Sequence, residues 1–203
     1  MNARTKRVLF NELTTLLEYL DPSSLAVLKK KFSAFEQEIV YGPDAGEADA
    51  DRKYHEDRAA FTSALCLELI PKIDKLADKT IDRAASLSSS RFLVALLAAI
   101  GGVATLGAIG IGKEEVARIS GIVTSGVAIL NAGLDSMSKR YTATETQKAI
   151  DLKRASLELA QLRHDMDLSV MHERNVTEIA AAIGKCNQIA LDLNQRKDQL
   201  RIV

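Results

Sequence analysis

The chain has 203 residues, enough for one large domain or two small ones. Aromatic residues make up only 4%, with no Trp and 3 Pro, which excludes a sandwich or barrel built on aromatic strands and many turns. Twenty-seven basic residues balance 27 acidic ones, so no global field draws the chain to nucleic acid.

The expected fold class is all-α: an elongated helical bundle or coiled coil beside an apolar Gly/Ala-rich helical hairpin. Arg4 to Leu20 reads as a short amphipathic helix, with Leu9, Leu13, Leu16, Leu17 and Leu20 on one face. Asp21-Pro22 ends it and starts the next, Asp21 as N-cap and Pro22 as first helical residue. Leu25, Leu28, Phe32, Phe35 and Ile39 then recur three and four apart, a seam that makes 1–40 a helical hairpin in need of a partner face. Lys29-Lys30-Lys31 on this helix reads as a solvated face balanced by Glu36 and Glu38.

Residues 41–51 (YGPDAGEADAD) read as a solvated acidic loop without the terminal Glu of a calcium-binding EF-hand. A kinked amphipathic helix is expected over 52–91. Its regular part, Arg52 to Ala85, buries Phe61, Leu65, Leu69, Ile73, Leu76 and Ile81 and bends at Pro71. Ser86 to Ser90 form a polar break before the apolar stretch.

Charge then nearly disappears: residues 92–134 contain four charged side chains in 43 positions. Phe92 to Gly112 has none, and its mean hydropathy over Val94–Gly112 is about 2.1, inside the range read as membrane-spanning. The second run, Val116–Leu134, averages about 1.4 and is marginal. Together they predict an apolar helical hairpin over 92–138, either inserted in a bilayer or buried in a bundle. Small residues at four-residue spacing supply its packing faces: Ala98 and Gly102, then Ala104, Ala108 and Gly112, with Ala117, Gly121 and Ser125 on the second arm. Lys113, Glu114, Glu115 and Arg118 mark the tip. Thr105, Ser120, Thr124, Ser125 and Asn131 are the polar groups available to line a pore if several copies assemble. Lys79, Arg83, Arg91, Lys139, Arg140, Lys148, Lys153 and Arg154 flank the hairpin, against two basic residues at the tip. A spanning hairpin is therefore expected to keep both helical arms in the cytoplasm; the alternative is a soluble chain with the hairpin buried.

Residues 139–203 are expected to form a long C-terminal amphipathic helix, opened by a Thr142-Ala-Thr-Glu145 capping box. Its two seams, Leu152–Met166 and Val176–Leu200, are offset, with the interruption at Ser169–Glu173. One helix with a stutter and two helices meeting near His172 fit equally well. A helix as long as 142–203 cannot bury two offset seams on the short N-terminal hairpin alone, so self-association or a helical protein partner is expected.

Chemistry-bearing constellations are sparse. His164 and His172 lie two turns apart, too far to chelate one ion together. The glycines of 101–112 follow no strand, and neither a P-loop nor a GxSxG elbow occurs. No enzyme, metal or cofactor is expected. Cys66 and Cys186, 120 positions apart on apolar stripes, read as buried thiols in a reducing cytoplasm, the more so as Val8-Leu9-Phe10 is too short for a signal-peptide core.

The layout resembles two families. In placing FLVALLAAIGGVATLGAIGIG and ISGIVTSGVAILNAGL between long helices, it is similar to α-helical pore-forming toxins of the cytolysin A and Bacillus enterotoxin kind. In having two apolar spans with cytoplasmic helical arms, it looks like bacterial two-transmembrane defence effectors. The resemblance covers organisation alone. It implies a non-enzymatic, membrane-perturbing role through the hairpin, with a membrane-anchored or soluble coiled-coil scaffold as the alternative.

Overall fold

The computed structural model describes residues 11–30, 47–87, 128–129, 132–135, 144–172 and 175–200. Among them the chain is helical throughout, without strands, and the helices pack into one bundle: the all-α expectation holds. We number the main helices α1 (Asn11–Leu20), α2 (residues 22–30), α3 (Glu47–Leu87), α4 (Thr144–Met171), α5 (Val176–Gln195) and α6 (Lys197–Leu200).

The α1–α2 corner follows its local chemistry. Asp21 Oδ1 accepts hydrogen bonds from the backbone N–H of Ser23 at 3.1 Å and of Ser24 at 3.4 Å, and Oδ2 accepts the Ser24 hydroxyl at 2.8 Å. Asp21 is thus the expected N-cap, tied also to Lys72 of α3 at 3.2 Å. The serine hydroxyls, then Lys72, hold its carboxyl far below the usual carboxylate range. A depressed carboxylate pKa stabilises the fold above the unfolded-state value, and that contribution disappears as pH falls towards the folded value. Asp21→Ala should therefore lower the midpoint of thermal unfolding at neutral pH and lose part of the parent's acid destabilisation. Parallel melts from neutral to strongly acidic pH, showing the same offset throughout, would contradict this.

Helix α3 starts at Glu47, inside the predicted loop, so the last residues of 41–51 are helical. It continues through Pro71, which is exposed. The proline removes the partner of the Leu67 carbonyl, and Leu67 lies on the same exposed side, where water can satisfy it. The predicted stripe is buried at Leu65, Leu69, Ile73 and Ile81 and half-buried at Phe61 and Leu76. Cys66, Ile70 and Ala77 are buried too, because α3 packs against α4 on one side and against α1 and α5 on another.

The C-terminal region corrects the expectation of one long helix. It is an αα-hairpin, broken between Met171 and Val176. The backbone N–H of His172 donates to the Leu168 carbonyl at 3.0 Å, with ring Nδ1 2.9 Å from the same oxygen. Asn175 then caps α5, its side chain accepting from the Thr177 N–H at 3.1 Å. The chain reverses, and Arg196 returns to within 3.1 Å of Asp151. The two offset seams are the facing sides of this hairpin and of its neighbours. Leu152, Ala155, Leu159 and Met166 are buried from α4, and Ile179, Ile183, Cys186, Ala190 and Leu193 from α5. These positions of both seams are covered within the chain itself. Helix α1 closes the bundle with Leu13, Leu16 and Leu17 and is pinned to the end of α5 by Asn194 Nδ2 on the Glu12 carbonyl (2.8 Å) and to the start of α6 by Tyr19 OH on the Lys197 carbonyl (3.1 Å).

Gly184 sits exposed within α5, and a Cβ there would meet nothing within 4 Å. Gly184→Ala should raise unfolding stability by roughly 0.5–1 kcal/mol, since alanine restricts the unfolded chain and favours helix. Urea titration followed by circular dichroism checks this; a loss of stability would mean that α5 is not regular at this position.

Candidate functional site

Helices α3 and α4 share the largest interface of the bundle, and charge is buried in it. Among the described residues, Lys153 is the most deeply buried charged side chain, with 1% of it exposed. Its Nζ lies 3.2 Å from Asp74 Oδ1 and 2.9 Å from Asp78 Oδ1. Asp74 is buried, whereas the Asp78 side chain remains 61% exposed. Ser156, wholly buried one turn on, is near enough to Asp74 to favour its ionised form. Even so, neither Ser156 Oγ nor Asp74 Oδ2 completes a well-formed hydrogen bond. Burial pushes the Asp74 carboxyl up, against the pull of Lys153 and Ser156.

A second polar cluster lies further along the same interface. Arg163 Nε donates to Ser63 Oγ at 3.1 Å, and Ser63 Oγ donates to Asp167 Oδ1 at 2.9 Å. Arg163 also approaches Asp167 Oδ2 at 3.6 Å. Beyond it Arg58 is buried and its guanidinium pKa is lowered by desolvation. Thr62 and Thr80 satisfy their hydroxyls on the carbonyls of Arg58 and Leu76, one turn back on α3.

These contacts define the register. Asp74 meets Lys153 and Ser63 meets Asp167, so residue numbers fall on α4 as they rise on α3, and the two helices are antiparallel. Leu87 and Thr144 consequently lie at the same end of the bundle. Residues 88–143, which contain both apolar runs, connect these two helix ends in sequence.

The returning chain is anchored on the bundle. Asp135 pairs with Arg154 at 2.6 Å, and Leu134 is 0% exposed in the core. Leu134 closes the second apolar run, so the end of that run belongs to the bundle rather than to the hairpin. Ile129, a few residues earlier, is 72% exposed. Three of the basic residues counted as hairpin flanks are engaged elsewhere: Lys148 with Glu145, Lys153 with Asp74 and Asp78, Arg154 with Asp135. Lys153, inside the bundle, cannot meet a lipid headgroup.

The expected hairpin residues lie outside the described residues. This applies to the packing positions Ala98, Gly102, Ala104, Ala108, Gly112, Ala117, Gly121 and Ser125. It applies equally to Lys113, Glu114, Glu115 and Arg118 at the tip, and to Thr105, Ser120, Thr124 and Asn131. Among the described residues no helix is long and apolar enough to cross a membrane, and no group of three or more His, Cys, Asp or Glu could hold a metal ion. A groove of about 460 Å³ runs between α4 and α5 over Leu162 and Ile189, with Glu158, Asp165, Lys185 and Asp192 on its rims. It reaches neither Lys153 nor Asp74. The buried charges lie between the helices, apart from this groove.

The buried cluster was not singled out in the sequence, although a signal exists. Lys153 falls three and four positions from Ile150, Ala149, Ser156 and Leu157, all buried, so it interrupts a wide apolar face. Asp74 and Asp78, one turn apart on α3, are the matching carboxylates. No family model matches the chain, and neither a curated protein nor a solved structure matches it.

Proposed function

We propose that this chain is a non-enzymatic, membrane-interacting helical protein. Its charged bundle carries the apolar hairpin to a bilayer, and the hairpin, on self-association, perturbs the membrane or forms a pore. The observation that carries the proposal is the 21-residue uncharged run Phe92–Gly112, placed between two antiparallel helices that open at one end of the bundle. A helix apolar on all sides gains nothing from facing water and needs either lipid or protein around it. Within the bilayer, Thr105, Ser120, Thr124, Ser125 and Asn131 supply the polar lining, and Lys113, Glu114, Glu115 and Arg118 the mouth. The partners are then the lipid bilayer and further copies of the chain, with both arms on the cytoplasmic side.

A second reading, a soluble helical scaffold with the hairpin packed against protein, draws on Leu134, which is already buried in the bundle. One experiment separates the two. Purified chain is added to dye-loaded liposomes, and the membranes are then extracted with carbonate. Leakage with resistance to extraction supports the pore, and resistance without leakage a membrane anchor. Recovery of all the protein in the soluble fraction removes the membrane proposal.

A further inference from the structure

We propose that Cys66 and Cys186 are a redox modification site, a thiol pair in the middle of the bundle that forms a reversible disulfide tying α3 to α5. Both residues are free and 0% exposed, on helices that pack together. The two side chains belong to the same buried core, near enough for Cys186 to bear on the ionisation of Cys66. They are the only cysteines of the chain, so an internal disulfide can join no other positions. Sequence separation hid the pair; the folding of α5 back over α4 and α3 creates it.

The surroundings make the closed pair unreactive. The neighbouring Cys186 thiol and then burial push the Cys66 thiol well above its ordinary range, outweighing the nearby Arg163 guanidinium. A protonated, enclosed thiol does not attack a disulfide. Oxidation therefore needs α5 to part from α3. Helix α5 is the element suited to local opening: Ala182, Cys186 and Ala190 make up half of its buried face, so it covers little apolar area per turn, and Gly184 weakens it further.

Once α5 parts, the Cys186 thiolate attacks a small disulfide such as oxidised glutathione. The small S–S bond breaks, one small thiol leaves, and a mixed disulfide remains on Cys186. Cys66, now deprotonated, attacks the Cys186 sulfur, the mixed S–S bond breaks, and the second small thiol leaves. The two protein thiols have together lost two electrons and two protons, which the small disulfide carries away as two thiols. Reclosure then buries the new bond.

The cross-link closes a loop of about 120 residues, so the oxidised chain should unfold at higher temperature than the reduced one. On the membrane-active reading, which this consequence rests on, a tie between α3 and α5 holds in place the helix that leads into the apolar hairpin, and it should suppress leakage. The test incubates the full native chain with excess oxidised glutathione, then alkylates it in denaturant. The expected product is a monomer lighter by two hydrogen atoms, with no free thiol and a raised Tm, restored by dithiothreitol. Cys66→Ala and Cys186→Ala, both small replacements, should give no such product. Stable glutathione adducts, intermolecular dimers or two unreacted thiols in the native chain, where the urea-unfolded chain does react, would overturn the site. A cross-linked chain that leaks dye as fast as the reduced one overturns the lock. If neither form leaks, the membrane reading fails while the disulfide stands.

Discussion

Lys153→Met is expected to destabilise the bundle by about 3–5 kcal/mol at neutral pH, the cost of leaving a buried carboxylate without its counter-ion. The side chain of Asp74 is 8% exposed and Lys153 is its ion-pair partner in the core, so no water replaces the ammonium cheaply. Asp78, on the solvent side, loses far less. The pH dependence has a defined sign. Asp74 already has a raised folded-state pKa, and removing Lys153 raises it further. A carboxyl with a raised folded pKa favours the fold below its unfolded value and loses that contribution as pH climbs through the folded one. The variant should therefore be closest to the parent in mild acid and fall behind as pH rises to neutral. Adding Asp74→Leu to Lys153→Met replaces the pair with apolar volume and should return stability to the parent's level or above it. Urea unfolding at several pH values measures all three proteins. A single variant within about 0.5 kcal/mol of the parent at neutral pH would show that the pair is not an ionised contact of the folded state.

The same cluster shows what the sequence could and could not convey. Periodicity located α1, α3 and the seams of α4 and α5, because those stripes answer to helical geometry alone. The reversal at 172–175 was present as an interruption. Asn175 followed by Glu178 is also a helix-start pattern, but an offset between seams is equally produced by a stutter, and only the path of the chain distinguishes them. The buried charges left only a break in the apolar face at Lys153, which does not by itself locate a partner carboxylate. Lys153 was counted with the basic flanks of the hairpin, since a lysine on a helix is normally solvated, and its burial depends on where Asp74 sits across an interface that no local pattern encodes. Leu134 changed role in the same way, from the end of an apolar run to a core residue, because docking beside Arg154 is a tertiary fact.

Val103→Asp is expected to leave the bundle intact and reduce dye release from liposomes by about two orders of magnitude. Val103 is the midpoint of Val94–Gly112, and a charge at the centre of a spanning helix costs about 2.5–3.5 kcal/mol of insertion free energy, roughly a hundredfold in partition. On the membrane reading the hairpin adds nothing to the α3/α4 interface, where Lys153, Asp74 and the apolar residues around them hold stability, so thermal unfolding should be unchanged. The soluble alternative makes the opposite prediction. A hairpin packed against protein would bury the new carboxylate there, lower the midpoint of unfolding and leave liposomes indifferent to the substitution. Gly102→Leu with Gly121→Leu probes the contact between the arms rather than their polarity. Leucine at these positions keeps each run apolar and able to enter lipid, yet separates two backbones that small residues allow to approach. Leakage should then disappear while carbonate-resistant binding persists. Leakage surviving the paired leucines would exclude packing through Gly102 and Gly121. Leakage surviving Val103→Asp would exclude Phe92–Gly112 as the inserting element.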